Sequence, residues 1–245
     1  MDIGLAGSSP VSRGTSTGIE YQVPWIFDVI GDAEVLVAKA GITSIADLKG
    51  KKVATPFAST SHYSLLAALG AEGLSASDVD IIDAEPDDIY AAWTRGDIDA
   101  AYVWNPNLAK LESEGGTVLI SSGDLAEDGK TTYDLAVVRN EFADQYPDAV
   151  QTWVDQQNKA VELYNSDPDA AAAAIAEELN ITPEEAAAQA GDLIFLTASE
   201  QAGGLATNLF AAAKFNKKLG EIDEVQPEQT YVDAVVAKFA ENVGG

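Results

Sequence analysis

The residues with the clearest chemical potential are Ser59, Thr60, Ser61, His62 and Tyr63, inside the run Pro56-Phe57-Ala58-Ser59-Thr60-Ser61-His62-Tyr63-Ser64-Leu65-Leu66. The run follows a segment readable as a strand and opens one readable as a helix. A helix start leaves backbone N–H groups without intrahelical acceptors, and the helix dipole places partial positive charge there. Such a start binds oxyanions without a cationic side chain, and the hydroxyls of Ser59, Thr60 and Ser61 would add donors. The same residues equally suit a well-capped helix that binds nothing, because Ser and Thr favour these positions for local reasons.

Four other places invite a similar choice. Ser8 and Ser9, in Gly7-Ser8-Ser9-Pro10, end the first expected strand, the end at which α/β sheets place ligands; a plain turn fits as well. Trp104 closes a later strand at the equivalent point, as a pocket wall or as core. Asp134 opens a strand, where a carboxylate pairs with a ligand amine or simply meets solvent. Glu34, at the start of another strand, has the same two readings.

Catalysis finds little support. The chain has no cysteine and a single histidine, His62, so a thiolate nucleophile, a thiolate metal site and a multi-histidine metal site are all excluded. His62 sits beside serines, but adjacent residues of a helix do not face one another. Gly-x-Ser-x-Gly, Walker and Gly-x-Gly-x-x-Gly motifs are absent. The expectation is no catalytic residue, no metal and no cofactor.

Composition narrows the partners. Fourteen basic residues against forty acidic ones leave a net charge of −26 over 245 residues. That excludes nucleic acid, which requires clustered Lys and Arg, and disfavours anionic membranes. The excess acid reads as a solvated shell, of the kind seen in proteins of salt-loving organisms. No stretch approaches the roughly 20 apolar residues of a membrane span. Met1 opens no basic-then-apolar signal peptide, so an export signal would lie outside this chain. A hydrophobic content of 47% suffices for one large domain or two lobes.

The elements that must position these residues alternate as in α/β proteins. Strands are expected at 2–6, 34–38, 51–55, 79–82, 98–104, 118–121 and 134–139, and helices at about 60–72 and 87–95, the latter capped by Asp87. From Asn140 onward helices dominate: 147–164, 170–179, one started by Thr182-Pro183-Glu184-Glu185, a long one at 199–219 and a last one at 230–242. The segments 2–10 and 97–106 follow nearly the same plan, as two similar halves would. The strands at 34 and 134 flank the middle as an entering and a leaving pair suited to a hinge.

DLKGKKVATPFASTSHYSLLAAL followed by AAWTRGDIDAAYVWNP closely resembles the periplasmic taurine-binding proteins of ABC importers, within the aliphatic-sulfonate, nitrate and taurine solute-binding family. The likeness runs from Asp2 to the C-terminus and is strongest between Glu34 and Arg139. It implies the type II periplasmic-binding-protein fold: two α/β lobes joined by two hinge strands, lobe 1 from 1–33 plus 137–245 and lobe 2 from 34–136. It implies a sulfonate held by Ser59 to Tyr63 with Ser8 and Ser9 of the other lobe, Trp104 walling the cleft, Asp134 on the ammonium and Glu34 as a weaker candidate for it. The implied partners are taurine or a close sulfonate and an ABC permease with its ATPase, for a periplasmic monomer. A plain alkanesulfonate would leave Asp134 buried without a partner.

The resemblance also implies a signal sequence and a strand–helix–strand–helix unit before Asp2, so lobe 1 is expected to be incomplete at its N-terminal end and to expose apolar surface. Two other functions are weighed against transport. Enzymes that make the thiamine pyrimidine share this fold, but they resemble one another through a cysteine-rich motif and an essential histidine; this chain has no cysteine, and its one histidine, His62, belongs to the taurine-like run. A ligand-sensing regulatory domain would need a signalling module, and none is recognisable.

Overall fold

Short β-branched runs become strands here, and hydroxyl- or proline-led segments become helices. The computed structural model describes residues 1–201 and 203–244. The chain forms two compact units, one from 1–29 with 133–245 and the other from 30–132.

The first unit holds β1 (Ile3–Gly7), α1 (Ser8–Ser16) and β2 (Tyr21–Val29). After the second unit it resumes with β8 (Tyr133–Arg139) and α6 (Asn140–Gln145). Its remaining helices are α7 (Pro147–Ser166), α8 (Pro168–Leu179), α9 (Pro183–Gly191), α10 (Leu205–Leu219), α11 (Glu228–Ala234) and α12 (Lys238–Glu241). The sheet order is β1-β8-β2, with β8 antiparallel to both neighbours. One face packs Val23, Ile26 and Leu135 against α1, α10 and α11. The other packs Trp25, Ala136 and Val138 against α7 and α12.

The second unit holds β3 (Glu34–Ala38), β4 (Lys52–Thr55), α2 (Thr60–Ala71), β5 (Asp80–Asp83) and α3 (Pro86–Arg95). It ends with β6 (Ala100–Trp104), α4 (Asn107–Ser113), β7 (Thr117–Ser121) and α5 (Ser122–Glu127). The sheet order is β5-β4-β6-β3-β7; β4 runs parallel to β5 and β6, and β3 antiparallel to β6 and β7. All five residues of β3 are buried, which is why EVLVA reads as a nearly continuous apolar run. Val35 and Val37 pack with Trp93, Ile98 and Leu111 on one face; by the two-residue period of a strand, Glu34 and Leu36 point to the other.

Several expectations are revised by tertiary context. The Ser8-Ser9-Pro10 segment is the first turn of α1, not a turn out of a strand. β2 was not foreseen, since Pro24 within a run argues against a strand. The structure accommodates it because β2 is an edge strand whose register shifts between Gln22 and Trp25. Asp87 lies in the first turn of α3, with Glu85 as N-cap and Pro86 at its start. The helix expected from 199 begins only at Leu205, after Gly203 and Gly204 at φ of 114° and 87°; Ala202 lies outside the described residues. The helix expected at 230–242 is two pieces, because Val235 bridges to Val23 and the Val236 N–H donates to the Val23 carbonyl at 3.0 Å.

The chain passes between units at Val29/Ile30 and Thr132/Tyr133. β3 and β8, expected as hinge strands, therefore each lie within one sheet, and the crossings come just before them. At the crossing the Ile30 N–H donates to the Thr132 carbonyl at 3.1 Å. Among the described residues no helix is long and apolar enough to cross a membrane.

Candidate functional site

In the second unit β4 delivers the chain into α2 through Pro56 to Ser59. Ser59 is the N-cap: its Oγ accepts from the His62 N–H at 3.0 Å and donates to the Pro56 carbonyl at 2.6 Å. The preceding residue, Ala58, has φ of +64°, a left-handed conformation that costs a non-glycine residue on the order of 1–3 kcal/mol and concentrates at functional sites. Two contacts hold it. Ala58 N–H donates to His62 Nδ1 at 3.3 Å, and the His62 ring stacks on Phe57 at 4.7 Å and 10°. His62 thus braces the turn with the ring nitrogen a general base would need.

The first turn of α2 is fastened from below. Thr60 Oγ1 donates to Glu34 Oε1 at 2.6 Å, and Ser122 Oγ donates to Glu34 Oε2 at 3.4 Å. Ser122 Oγ also lies 3.0 Å from both Ser64 Oγ and the Tyr102 hydroxyl. Glu34 is 5% exposed, so its carboxylate is spent on the scaffold of α2. Trp104 is its register partner across β3 and β6 and so shares its face of the sheet. Tyr63 is buried, and burial pushes its phenol up to about 12.

Around the start of α2, two hydroxyls break the rule that buried polar groups are paired. Ser61 Oγ and Thr55 Oγ1 have no hydrogen-bond partner, and both residues are 0% exposed. The helix adds N–H groups at its first residues, of which only that of His62 is taken by the cap side chain. Orphan donors at the C-terminal end of β4 and in the first turn of α2 are what an oxyanion seat supplies. Thr55 and the Ser64–Ser122–Tyr102 cluster were missed in the sequence, although Thr55 before Pro56 marks a strand end.

In the first unit Gly7, Asp134 and Asp28 form one row across β1, β8 and β2, and α1 starts directly after Gly7. Ser8 and Ser9 are buried there, and Ser8 Oγ accepts from the Tyr133 N–H at 3.1 Å. Burial raises the Asp134 carboxyl to about 6 by penalising its charged form. The structure thus gathers Glu34, Thr60, Ser61 and Trp104 in one unit, and Ser8, Ser9 and Asp134 in the other. Asp28 in that row was not foreseen; it hides in the unexpected β2. Among the described residues no three His, Asp or Glu side chains cluster as metal donors.

A family model described as NMT1/THI5 like matches residues 32–171, more than half of the chain. The chain belongs to the NMT1/THI5-like family. The matched segment contains the whole α2 site and Asp134. Within the curated proteins, the family member is similar to the taurine-binding periplasmic protein of Escherichia coli, 41% identical over 69% of this chain and 52% of that protein. The chain spans about half the length of the curated relatives it matches. Among solved structures it is similar to the periplasmic aliphatic sulphonate binding protein SsuA of Escherichia coli. The TM-score is 0.75 at 23% identity, over 94% of this chain and 75% of that one. The desulfurization enzyme DSZB has a TM-score of 0.71 at 16% identity, over 98% and 84%. At these identities the structures establish the fold, that of periplasmic binding proteins, while the relatives matched by sequence are named as binding proteins.

Proposed function

We propose that the chain is the substrate-binding component of an ABC importer, capturing taurine or a closely related small sulfonate for delivery to a permease and its ATPase. The observation that carries this reading is the start of α2, where Ser61 Oγ is buried without a partner on a turn strained at Ala58. A sulfonate is a tetrahedral oxyanion, weakly basic and permanently charged. It suits neutral donors and a helix dipole better than a fixed cation, which would also retain competing carboxylates. The three arginines of the chain, Arg13, Arg95 and Arg139, all form ion pairs with acidic side chains elsewhere. The 41% identity to a taurine-binding protein supports the same class of ligand.

Asp134 extends the reading from an anion to a zwitterion. A buried carboxylate shifted toward neutrality is returned to its charged form by an ammonium. Ser8 and Ser9 are assigned to the same ligand, and a periplasmic, monomeric protein fits a carrier of this kind. Titration calorimetry with taurine, ethanesulfonate, sulfate and nitrate tests the reading. Taurine is expected to bind most tightly. Equal affinity for taurine and ethanesulfonate would remove Asp134 from the site, and no binding of either would refute the sulfonate assignment.

A further inference from the structure

The sheet of the first unit has one covered edge and one open one. On the β2 side, Val23 bridges to Val235 and Val29 to Ile194. On the other side, β1 pairs with β8 alone among the described residues. The Arg139 N–H donates to the Asp2 carbonyl at 3.1 Å, and the register continues from there with Ile3 opposite Val138 and Gly4 opposite Val137. Bonded and non-bonded pairs alternate along an antiparallel ladder. Gly4 and Ala6 therefore bond to β8, and the N–H and C=O groups of Ile3 and Leu5 face outward. Bulges, lysines and prolines are what close such an edge. β1, with the sequence IGLAG, has none of them.

Beside that edge lies a cavity of about 290 Å³, lined by Leu5 of β1, Val161 and Leu163 of α7, and Ala171, Ala174 and Ile175 of α8. Apart from Asp28 and Gln157, the rest of its lining is aliphatic or aromatic as well. Leu5 and Leu163 are 60% and 43% exposed. Open apolar surface and outward-facing backbone groups thus meet at one side chain, Leu5.

The two features together select the occupant. A small apolar molecule would fill the cavity and leave the edge unpaired, and a small polar one would do the reverse. An added strand satisfies both, since its backbone bonds to the edge and every second side chain enters the cavity. Charge narrows the choice further. The segment 147–179, which forms α7 and α8, carries seven acidic side chains and one basic one, Lys159. A chain of net charge −26 also repels a second copy of itself. We propose that the open edge of β1 and the adjoining cavity bind an extended peptide segment of another protein, apolar at alternate positions and flanked by Lys or Arg. This goes beyond the sulfonate reading and uses none of the residues assigned to that ligand.

The probe is the acetylated, amidated peptide Lys-Val-Thr-Val-Thr-Val-Lys, titrated calorimetrically into the full chain. It is expected to bind, and to lose about tenfold or more in affinity when serine replaces its valines, the scale set by burying one such side chain. N-methylation of its valines and threonines, which removes the strand's donors, should weaken it as much, and glutamate in place of its lysines should weaken it too. Leu5→Pro removes an outward N–H without touching a bond to β8. It should weaken the peptide about tenfold and leave the ethanesulfonate titration unchanged, so failure here and failure of the sulfonate site are told apart. No peptide binding, or equal affinity for the N-methylated form, overturns the proposal, and neither comparison depends on a variant folding. A folded Leu5→Pro with full peptide affinity also overturns it. So does sedimentation of the unliganded chain as a dimer that Leu5→Pro converts to monomer, which would give the edge to a second copy.

Discussion

Replacing Glu34 separates its two readings, a carboxylate for the ligand or a support for α2. Thr60 Oγ1 donates to Glu34 Oε1 at 2.6 Å, and the two residues are 6% and 5% exposed. A hydrogen bond to a charged group contributes about 1.5–3 kcal/mol, and a buried donor left without its acceptor costs about 1–3 kcal/mol. Glu34→Ala is therefore expected to lower stability by about 2–4 kcal/mol. Glu34→Gln, which keeps an acceptor oxygen, should lose about half as much. A double-mutant cycle with Thr60→Val isolates the pair, with an expected coupling of about 1.5 kcal/mol or more. The assay is urea denaturation followed by tryptophan fluorescence, with the slope checked for constancy. Coupling below about 0.5 kcal/mol would refute the fastening of α2 by this bond. So would loss of the taurine preference over ethanesulfonate in Glu34→Gln, which would place Glu34 on the ligand amine.

Ala58→Gly should stabilise the protein by about 1 kcal/mol, the left-handed cost at φ +64° less the greater freedom of glycine in the unfolded chain; a lower Tm would contradict it. Ser61→Ala removes a buried hydroxyl that has no partner, so stability should hold or rise by up to about 1 kcal/mol while sulfonate affinity falls, as paired melts and titrations would read. Asp134, raised by burial to about 6, holds its proton in the folded state where the unfolded chain has lost it. Its contribution to stability therefore declines as pH rises from about 4 to 6; Asp134→Asn should flatten that slope, and an unchanged profile would exclude Asp134 as its source. Taurine affinity should rise with pH across the same upper limit as the carboxylate forms, while ethanesulfonate affinity should not.

The elements legible in the sequence were those whose signals are local. β3 announces itself because both faces are buried, and α9 because Thr182, Pro183 and Glu185 form a capping box with proline at the first position. The start of α2 was legible for the same reason: Ser59 caps, and Thr60 to Ser64 follow it. β2 and the split of α11 from α12 were not, since they depend on pairing between residues far apart in the chain, Val23 with Val235 and Trp25 with Ala136.

By itself the sequence determined the excess of acidic side chains, the exclusion of cysteine and multi-histidine chemistry, and a hydroxyl-rich helix start that suits a capped helix and an oxyanion equally. Each is a property of composition or of neighbours in the chain. The tertiary structure decided which hydroxyls are available. It ties Thr60 to Glu34 and Ser59 to Pro56 and His62, and leaves Ser61 and Thr55 without partners. It also set Asp28 opposite Asp134, a distance of 106 residues along the chain closed by one strand pair. Hydrogen-bond partners and desolvation depend on what packs against a group in space, and that is the physical reason a list of residues could name the candidates but not rank them.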